Sequence, residues 1–438
     1  MELSENNLSK NFIIVWIGQL ISSIGSGLSA FALGIYVFQK THTATSYSLI
    51  VLFAFLPSFL LRPIGGTLSD RIDRRLLMII GDLGSAIGLV FILIMMYAGA
   101  EDLWIIYLGV AVSSLFVAVQ NPAYKASVTD LLDPESYSKA SGLMQLAESS
   151  RYFIAPIIAG FLLGFWDIKN ILIVDILTFL VAIGAVFWIK KDLNTGKHVE
   201  NDKNKQNFRS DLTEGFRYTF SLKGLLWLLC ITALITFFVG FLQSLFGPMV
   251  LAFADSKTLG ITLTLMATGM LVSSFLIGAF SKIKNQLSIL SISLAVAGLF
   301  YALLGFSTSI LFITVSGFLF FFALPFINTS LDVIIRNNVE NSIQGRVWSI
   351  VSLISQFGMV LAFCISGLLA DIVFNPLFET EGFFSSTVGQ IIGTGQGRGI
   401  GFMFLLSGIF ILILAVIISR LTVLKELDLT LREEIKID

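Results

Sequence analysis

Residues 46–98 read SYSLIVLFAFLPSFLLRPIGGTLSDRIDRRLLMIIGDLGSAIGLVFILIMMYA, in which two apolar runs flank a short charged loop. The runs, at about 46–68 and 76–98, are each long enough to cross a bilayer as a helix. A helix needs roughly 20 apolar residues to cross about 30 Å of hydrocarbon. The stretch therefore predicts a helical hairpin that crosses a membrane twice.

The same pattern continues along the whole chain. Runs of this kind lie at about 12–38, 46–68, 76–98, 103–122, 141–165, 170–189, 225–252, 259–281, 287–306, 309–330, 347–371 and 399–419. They form two groups of six on either side of a polar stretch. We predict an all-α integral membrane protein with twelve transmembrane helices. Its six-helix bundles, 1–189 and 225–438, are joined by a cytoplasmic linker, 190–224, which either lies on the membrane surface as a helix or is solvated.

Composition supports a membrane protein. Of the 438 residues, 55% are hydrophobic and 13% are charged, whereas soluble domains carry about 25% charged residues. The net charge of −1 argues against a nucleic-acid partner. The two cysteines, Cys230 and Cys364, lie inside apolar runs, so we expect neither a disulfide nor a metal site, and no cofactor. The first run is too long for a cleavable signal peptide.

Lysine and arginine set the orientation. With both termini in the cytoplasm, 22 of the 28 basic residues lie in cytoplasmic segments. The external loops then hold only Lys40, Lys169, Lys257 and Arg398. Because positive charge stays inside, we predict a multi-pass protein of the plasma membrane with cytoplasmic termini.

An internal repeat relates the two halves. A shift of 207 residues places Asn121 on Asn328 and Gly160 on Gly367 without a gap. Two parallel six-helix repeats around an axis along the membrane normal are a recurrent transporter design.

The charged loop carries a recognisable motif, made of Gly66, Asp70, Arg71, Asp73, Arg74 and Arg75. It resembles the G-x-x-x-D-R-x-G-R-R loop of the major facilitator superfamily, and Asp73 replaces the usual glycine as in the drug-efflux branch that includes macrolide exporters. Three further stretches resemble that branch: Asn121-Pro122-Ala123 closing the fourth helix, Glu214-Gly215-Phe216-Arg217, and Gly345-Arg346-Val347. The resemblance implies that the loop latches the cytoplasmic ends of the halves. Alternatively, it only sets topology.

The fifth span carries a degenerate form of the family's antiporter motif, formed by Gly142, Ala155, Pro156, Ala159 and Gly160. Small residues let helices approach closely, and Pro156 can bend the helix. Arg151 stands where this motif has glycine, and Ser113 stands where the family often has an arginine tied to proton coupling.

Five ionisable residues lie within the predicted spans: Arg62, Asp82, Glu148, Arg151 and Asp175. Such residues are costly in a bilayer and normally have partners or a purpose. Arg62 and Asp82 lie on consecutive antiparallel helices and could pair. Glu148 and Arg151 share a helix face. Either these are structural ion pairs with Asp175 bonded to a neighbour, or Glu148, tuned by Arg151, exchanges a proton during transport, with Asp175 as the second choice.

The leading hypothesis is a monomeric, secondary active exporter of small amphipathic drugs such as macrolides, driven by proton exchange. No Walker A pattern indicates ATP use. The substrate cavity is predicted to include Gln145, Tyr152, Phe237, Gln243, Asn328, Gln356 and Met359. Such adaptable surfaces suit varied apolar substrates. The alternatives are a lipid or siderophore transporter of the same fold and a non-transporting receptor. An enzyme is disfavoured because His42 and His198 both lie in loops.

Overall fold

The computed structural model describes residues 8–100, 102–188, 217, 223–279, 285–339, 343–379 and 382–421. Most of the predicted linker 190–224, including the Glu214–Phe216 stretch, and the C-terminal residues 422–438 lie outside the described residues. All regular elements among the described residues are helical.

In the first half, the helices are α1 (Lys10–Thr41), α2 (Ala44–Ser69), α3 (Arg74–Tyr97), α4 (Leu103–Leu131), α5 (Tyr137–Phe153), α6 (Ala155–Leu162) and α7 (Ile168–Trp188). The second half contains α8 (Lys223–Leu251), α9 (Ser256–Ala279), α10 (Gln286–Leu304), α11 (Ile310–Asn338), α12 (Gln344–Leu368), α13 (Asn375–Leu377), α14 (Gly389–Ile392) and α15 (Arg398–Arg420). A turn of π-helix, Leu369–Phe374, links α12 to α13.

Within the described ranges, eleven helices are long and apolar enough to cross a membrane. The remaining predicted span, 141–165, is divided at Ile154 into α5 and α6. Pro156 lies in the first turn of α6, where its missing N–H costs least and the preceding helix is interrupted. The span is therefore interrupted next to Pro156, and the all-α, multi-span fold is confirmed.

Two helices continue beyond the predicted apolar runs. The stretch Asn121-Pro122-Ala123 does not close the fourth helix, because α4 continues to Leu131, and α11 continues beyond 330 to Asn338. A hydropathy pattern ends at the edge of the hydrocarbon, whereas a helical backbone bonds to itself and needs no apolar neighbours to continue. The extensions carry four charged residues: Lys125, Asp130, Asp332 and Arg336.

The chain divides into two compact units. The first contains α1, α2 from Ser46 onward, α3 to α7, and the segment Asp255–Ile261. Its core joins α1, α3, α4, α5 and α7 through buried side chains that include Phe12, Met78, Tyr124, Met144 and Val186. In the same unit, a side-chain carbon added at Gly25 would overlap the Thr178 hydroxyl of α7. The absence of a side chain there lets α1 lie directly against α7.

The second unit contains Thr43–Thr45, α8, α9 from Thr262 onward, and α10 to α15. Its centre is aromatic. Tyr301 of α10 is fully buried and makes edge contacts with the rings of Phe320 and Phe404, with ring centroids 5.2 and 5.4 Å away. Its hydroxyl donates to the carbonyl of Phe238 on α8 at 2.9 Å, so the one polar atom of this ring is satisfied.

Candidate functional site

Asp175 of α7 lies in a polar cluster inside the first unit. The residue is 1% exposed, and its Oδ1 accepts a 3.3 Å hydrogen bond from the Thr178 hydroxyl. Ser26 and Ser29 of α1 lie beside this carboxylate, and Arg151 of α5 is close enough to interact with it electrostatically. An isolated buried carboxylate is costly. The Thr178 hydroxyl, which also donates to the Asp175 main-chain carbonyl at 2.7 Å, and the Arg151 guanidinium offset part of that cost.

Asp82 of α3 forms a second buried cluster. It is 2% exposed, and its Oδ2 accepts a hydrogen bond from Gln19 Nε2 at 3.1 Å. Gln120 Nε2 in turn donates to Gln19 Oε1 at 2.6 Å. The structure gives the Asp82 carboxylate a partner on α1 rather than the predicted Arg62, which is an exposed residue of α2. The side-chain amides of Gln19 and Gln120, both inside apolar runs, were the sequence signal that could have indicated this cluster.

Glu148 has a different partner from the one that its sequence spacing favours. Its carboxylate forms a 3.0 Å ion pair with Lys125, and the two side chains are 39% and 59% exposed, respectively. Arg151, three residues later on α5, instead interacts electrostatically with Asp175. The expected Glu148–Arg151 pairing is replaced because the longer α4 brings Lys125 alongside α5.

Arg74 fastens the charged loop to the end of α4. Its Nη1 donates to Asp130 Oδ2 and to the Ala126 carbonyl, both at 2.8 Å, and to the Thr129 hydroxyl at 3.1 Å. The Arg74 and Asp130 side chains are only 19% and 14% exposed. Charge-assisted bonds of this kind are stronger than neutral ones. The sequence identified Arg74 but not its acidic partner.

The remaining loop residues fall into two groups. Asp73 caps α3 by accepting a 2.8 Å hydrogen bond from the Arg75 amide, and Arg75 Nη2 donates to the Phe187 carbonyl of α7 at 2.6 Å. Asp70 and Arg71 are exposed, and neither has an ion-pair partner among the described residues. The latch role implied for them stays a prediction.

The antiporter-like stripe is a packing surface. Ala155, Pro156, Ala159 and Gly160 are all buried. A carbon added at Gly27 of α1 would lie 2.5 Å from Ala155 Cβ, and one added at Gly160 would lie 2.6 Å from the Ser256 carbonyl oxygen. Gly142 and Gly66 differ, because a side-chain carbon at either position would meet nothing within 4 Å.

The predicted cavity residues are spread over both units. Gln145, Tyr152, Gln243 and Asn328 are exposed, and Phe237, Gln356 and Met359 are partly buried. One of them, Asn328, lines a groove of about 390 Å³ in the second unit. The other residues that line this groove are Thr232, Thr329, Leu331, Asp332, Ile335, Trp348 and Val351.

The acid and the indole that line this groove, Asp332 and Trp348, both contact a neighbouring base, Arg336. Arg336 Nε donates to Asp332 Oδ2 at 2.7 Å, and the Arg336 guanidinium lies 5.6 Å from the centroid of the Trp348 ring. This group was not predicted from the sequence, because the predicted tenth span ended at 330. The four-residue spacing of acid and base, typical of a helix surface, was the available signal.

Among the described residues, no cluster of His, Cys, Asp or Glu is arranged to hold a metal ion.

The sequence and the fold of this chain are both similar to those of known membrane transporters. A sequence profile described as "Major Facilitator Superfamily" matches residues 15–363. "Macrolide efflux protein A" of Streptococcus pyogenes is 26% identical, over 97% of this chain and 99% of the relative. A protein of the same name from Enterococcus faecalis is 26% identical, over 70% of this chain and 96% of the relative. Among solved structures, the nucleoside transporter NupG superposes with a TM-score of 0.71 at 13% identity, over 94% of this chain and all of that one. The chain is a multi-pass membrane transporter that belongs to the major facilitator superfamily.

Proposed function

We propose that this transporter is a proton-coupled exporter of amphipathic drugs such as macrolides. It lies in the plasma membrane with both termini in the cytoplasm. The observation that carries the coupling proposal is the buried Asp175 carboxylate with Arg151 nearby. The substrate class rests on the full-length similarity to macrolide efflux proteins.

Asp175 suits proton coupling better than Glu148 does. A carboxyl group at bilayer depth is costly when charged, so its protonation depends strongly on where its cation lies. Arg151 is near the end of α5, two residues before α5 ends at Phe153, and we infer that the interruption at Ile154 is the point about which α5 moves during transport. A movement of α5 would change the distance between the guanidinium and Asp175. Glu148 is partly exposed and already balanced by Lys125.

The charged loop supports a second part of this proposal. Asp73, Arg74 and Arg75 bond to helix ends of their own unit. They hold Asp70 and Arg71 in exposed positions, where these two residues can engage and release other parts of the chain during transport. This is the latch that the resemblance to the family implies.

The test is proton flux in proteoliposomes with an imposed pH gradient. Erythromycin and a cationic dye serve as substrates, and a lysophospholipid and a ferric siderophore represent the alternative functions. We expect gradient-driven movement of the drugs, its loss in Asp175→Asn, and its retention in Glu148→Gln. Loss in Glu148→Gln alone would move the coupling role to Glu148. Movement of the lipid or the siderophore but not the drugs would overturn the proposed substrate class.

A further inference from the structure

The groove between α8, α11 and α12 is lined by Asp332 and Trp348, and both of these residues contact one organic cation, the guanidinium of Arg336. We propose that this groove is a binding site for the protonated or quaternary nitrogen of an amphipathic ligand, and that Arg336 holds the same place until the ligand displaces it. This inference rests on the proposed drug-export function and identifies a site for the charged part of the substrate.

The seat for the charge is formed by Asp332 and Trp348. The Asp332 carboxylate accepts from Arg336 at 2.7 Å, and the Trp348 ring lies 5.6 Å from the guanidinium. A carboxylate beside an indole face binds organic cations through charge attraction and the ring quadrupole together. The seat is accessible, because the Asp332 side chain is 39% exposed.

The Arg336 guanidinium is only weakly retained. It is 58% exposed, and exposed acid–base pairs spaced four residues apart on a helix contribute little to stability. An incoming cation with a bulky apolar body would replace one charge by another, so the Asp332 carboxylate would stay balanced. It would also bury apolar surface that the arginine leaves in contact with solvent.

The other lining residues match such a ligand. Leu331, Ile335 and Val351 provide an apolar wall, and Thr232, Asn328 and Thr329 provide hydroxyl and amide groups. The volume of about 390 Å³ is within the range of roughly 300–1,000 Å³ found for small-molecule sites. Asp332 and Arg336 are the ionisable residues among these lining and ring contacts.

The repeat indicates that the site belongs to one half of the protein. The 207-residue shift that relates the halves places Lys125 at the position of Asp332 and Thr129 at that of Arg336. In the first unit, the repeat-related position therefore carries a base, and that base is paired with Glu148. An acid that is a shared requirement of the fold would appear in both halves, so its restriction to the second half favours a ligand-specific role.

The test is equilibrium binding of tetraphenylphosphonium to the purified full-length protein in detergent without a pH gradient, with triphenylphosphine oxide as a neutral ligand of similar shape. We expect Asp332→Asn and Trp348→Leu to weaken tetraphenylphosphonium binding by tenfold or more, and Trp348→Phe to weaken it by less than threefold. Binding of the neutral ligand should change little. Asp255→Asn, which removes an exposed carboxylate outside the groove, is the matched control.

The decisive variant is Arg336→Ala. If Arg336 competes with the ligand, its removal should tighten tetraphenylphosphonium binding severalfold. If the ion pair only stabilises α11 and its contact with Trp348, Arg336→Ala should leave binding unchanged or weaken it together with the melting temperature, and that result would overturn the proposal. Equal affinity of Asp332→Asn and the unmodified protein would also overturn it. Because no gradient is used, failure of proton coupling would not change these outcomes.

Discussion

Arg74 at the start of α3 and Asp130 at the end of α4 form a 2.8 Å ion pair that is largely shielded from solvent. The pair fixes one end of the charged loop, and the cap made by Asp73 on the Arg75 amide fixes the start of α3. The motif thus combines residues that set the shape of the loop with two residues, Asp70 and Arg71, that it leaves exposed.

Removing either member of this pair should destabilise the first unit. Arg74→Ala and Asp130→Ala should each lower the melting temperature in detergent, because each leaves a partly buried charge without its partner. The double variant should lose less than the sum, with a coupling energy on the order of 1 kcal/mol. Arg71→Ala, at an exposed position of the same loop, should stay within about 0.5 kcal/mol of the unmodified protein. Additive losses would show that the ion pair does not contribute.

Substitution of Asp70 or Arg71 should affect the transport rate rather than the stability of the protein. Asp70→Asn and Arg71→Ala should leave the melting temperature nearly unchanged, because both side chains are exposed, but should slow drug transport severalfold. The measurement is the initial transport rate in proteoliposomes at matched protein content. Normal transport rates in both variants would exclude the latch role, and the loop would then serve only to set the topology of the chain.

A third expectation concerns the start of α2, which belongs to the second unit. Asp371 accepts hydrogen bonds from the amides of Ala44 and Thr45, at 3.0 and 2.7 Å, and from the Thr45 hydroxyl at 2.6 Å. A carboxylate at a helix N-terminus accepts hydrogen bonds from the free amides there and interacts favourably with the positive end of the helix dipole. Asp371→Ala should therefore lower stability by about 1 kcal/mol or more, and Asp371→Asn should lower it less. Glu379→Ala, at an exposed position of the same unit, is the comparison, and equal losses in the two alanine variants would contradict a special role for Asp371.

The sequence predicted the number and positions of the spans because apolar length is a direct consequence of bilayer thickness. It failed at the ends of α4 and α11, where the helices leave the apolar environment. The ion-pair partners Lys125 and Asp130 and the ion pair of Asp332 with Arg336 were missed for this one reason. Polar helix extensions carry no hydropathy signal, and only their acid–base spacing marks them.

The partners of buried charges were predicted less well. Asp82 and Arg62 lie on consecutive antiparallel helices, which is why they were predicted to pair. The direction in which a side chain points from a helix, however, depends on which neighbouring helices pack there. Asp82 follows Gly81, whose missing side chain admits Gln120 of α4, so the carboxylate bonds to the Gln19–Gln120 chain. The identity of the buried acids could be inferred from sequence, but their partners required the packing of three helices.

The last expectation tests the geometry around Asp175 through a glycine. A side-chain carbon added at Gly25 would overlap Thr178 Oγ1 and lie 2.8 Å from Asp175 Oδ1. Gly25→Ala should therefore push α1 away from α7, at a cost of about 1–3 kcal/mol from overpacking, and should reduce gradient-driven transport more than it reduces drug binding. Gly184→Ala is the matched control, because a carbon added there meets nothing within 4 Å. That variant should be as stable as the unmodified protein, or more stable by up to about 1 kcal/mol, since alanine favours helices over glycine. Melting temperature and proton-driven flux, measured on the same preparations, separate the two effects. Equal behaviour of the two glycine variants would show that the close contact of α1 with Asp175 is not needed for coupling.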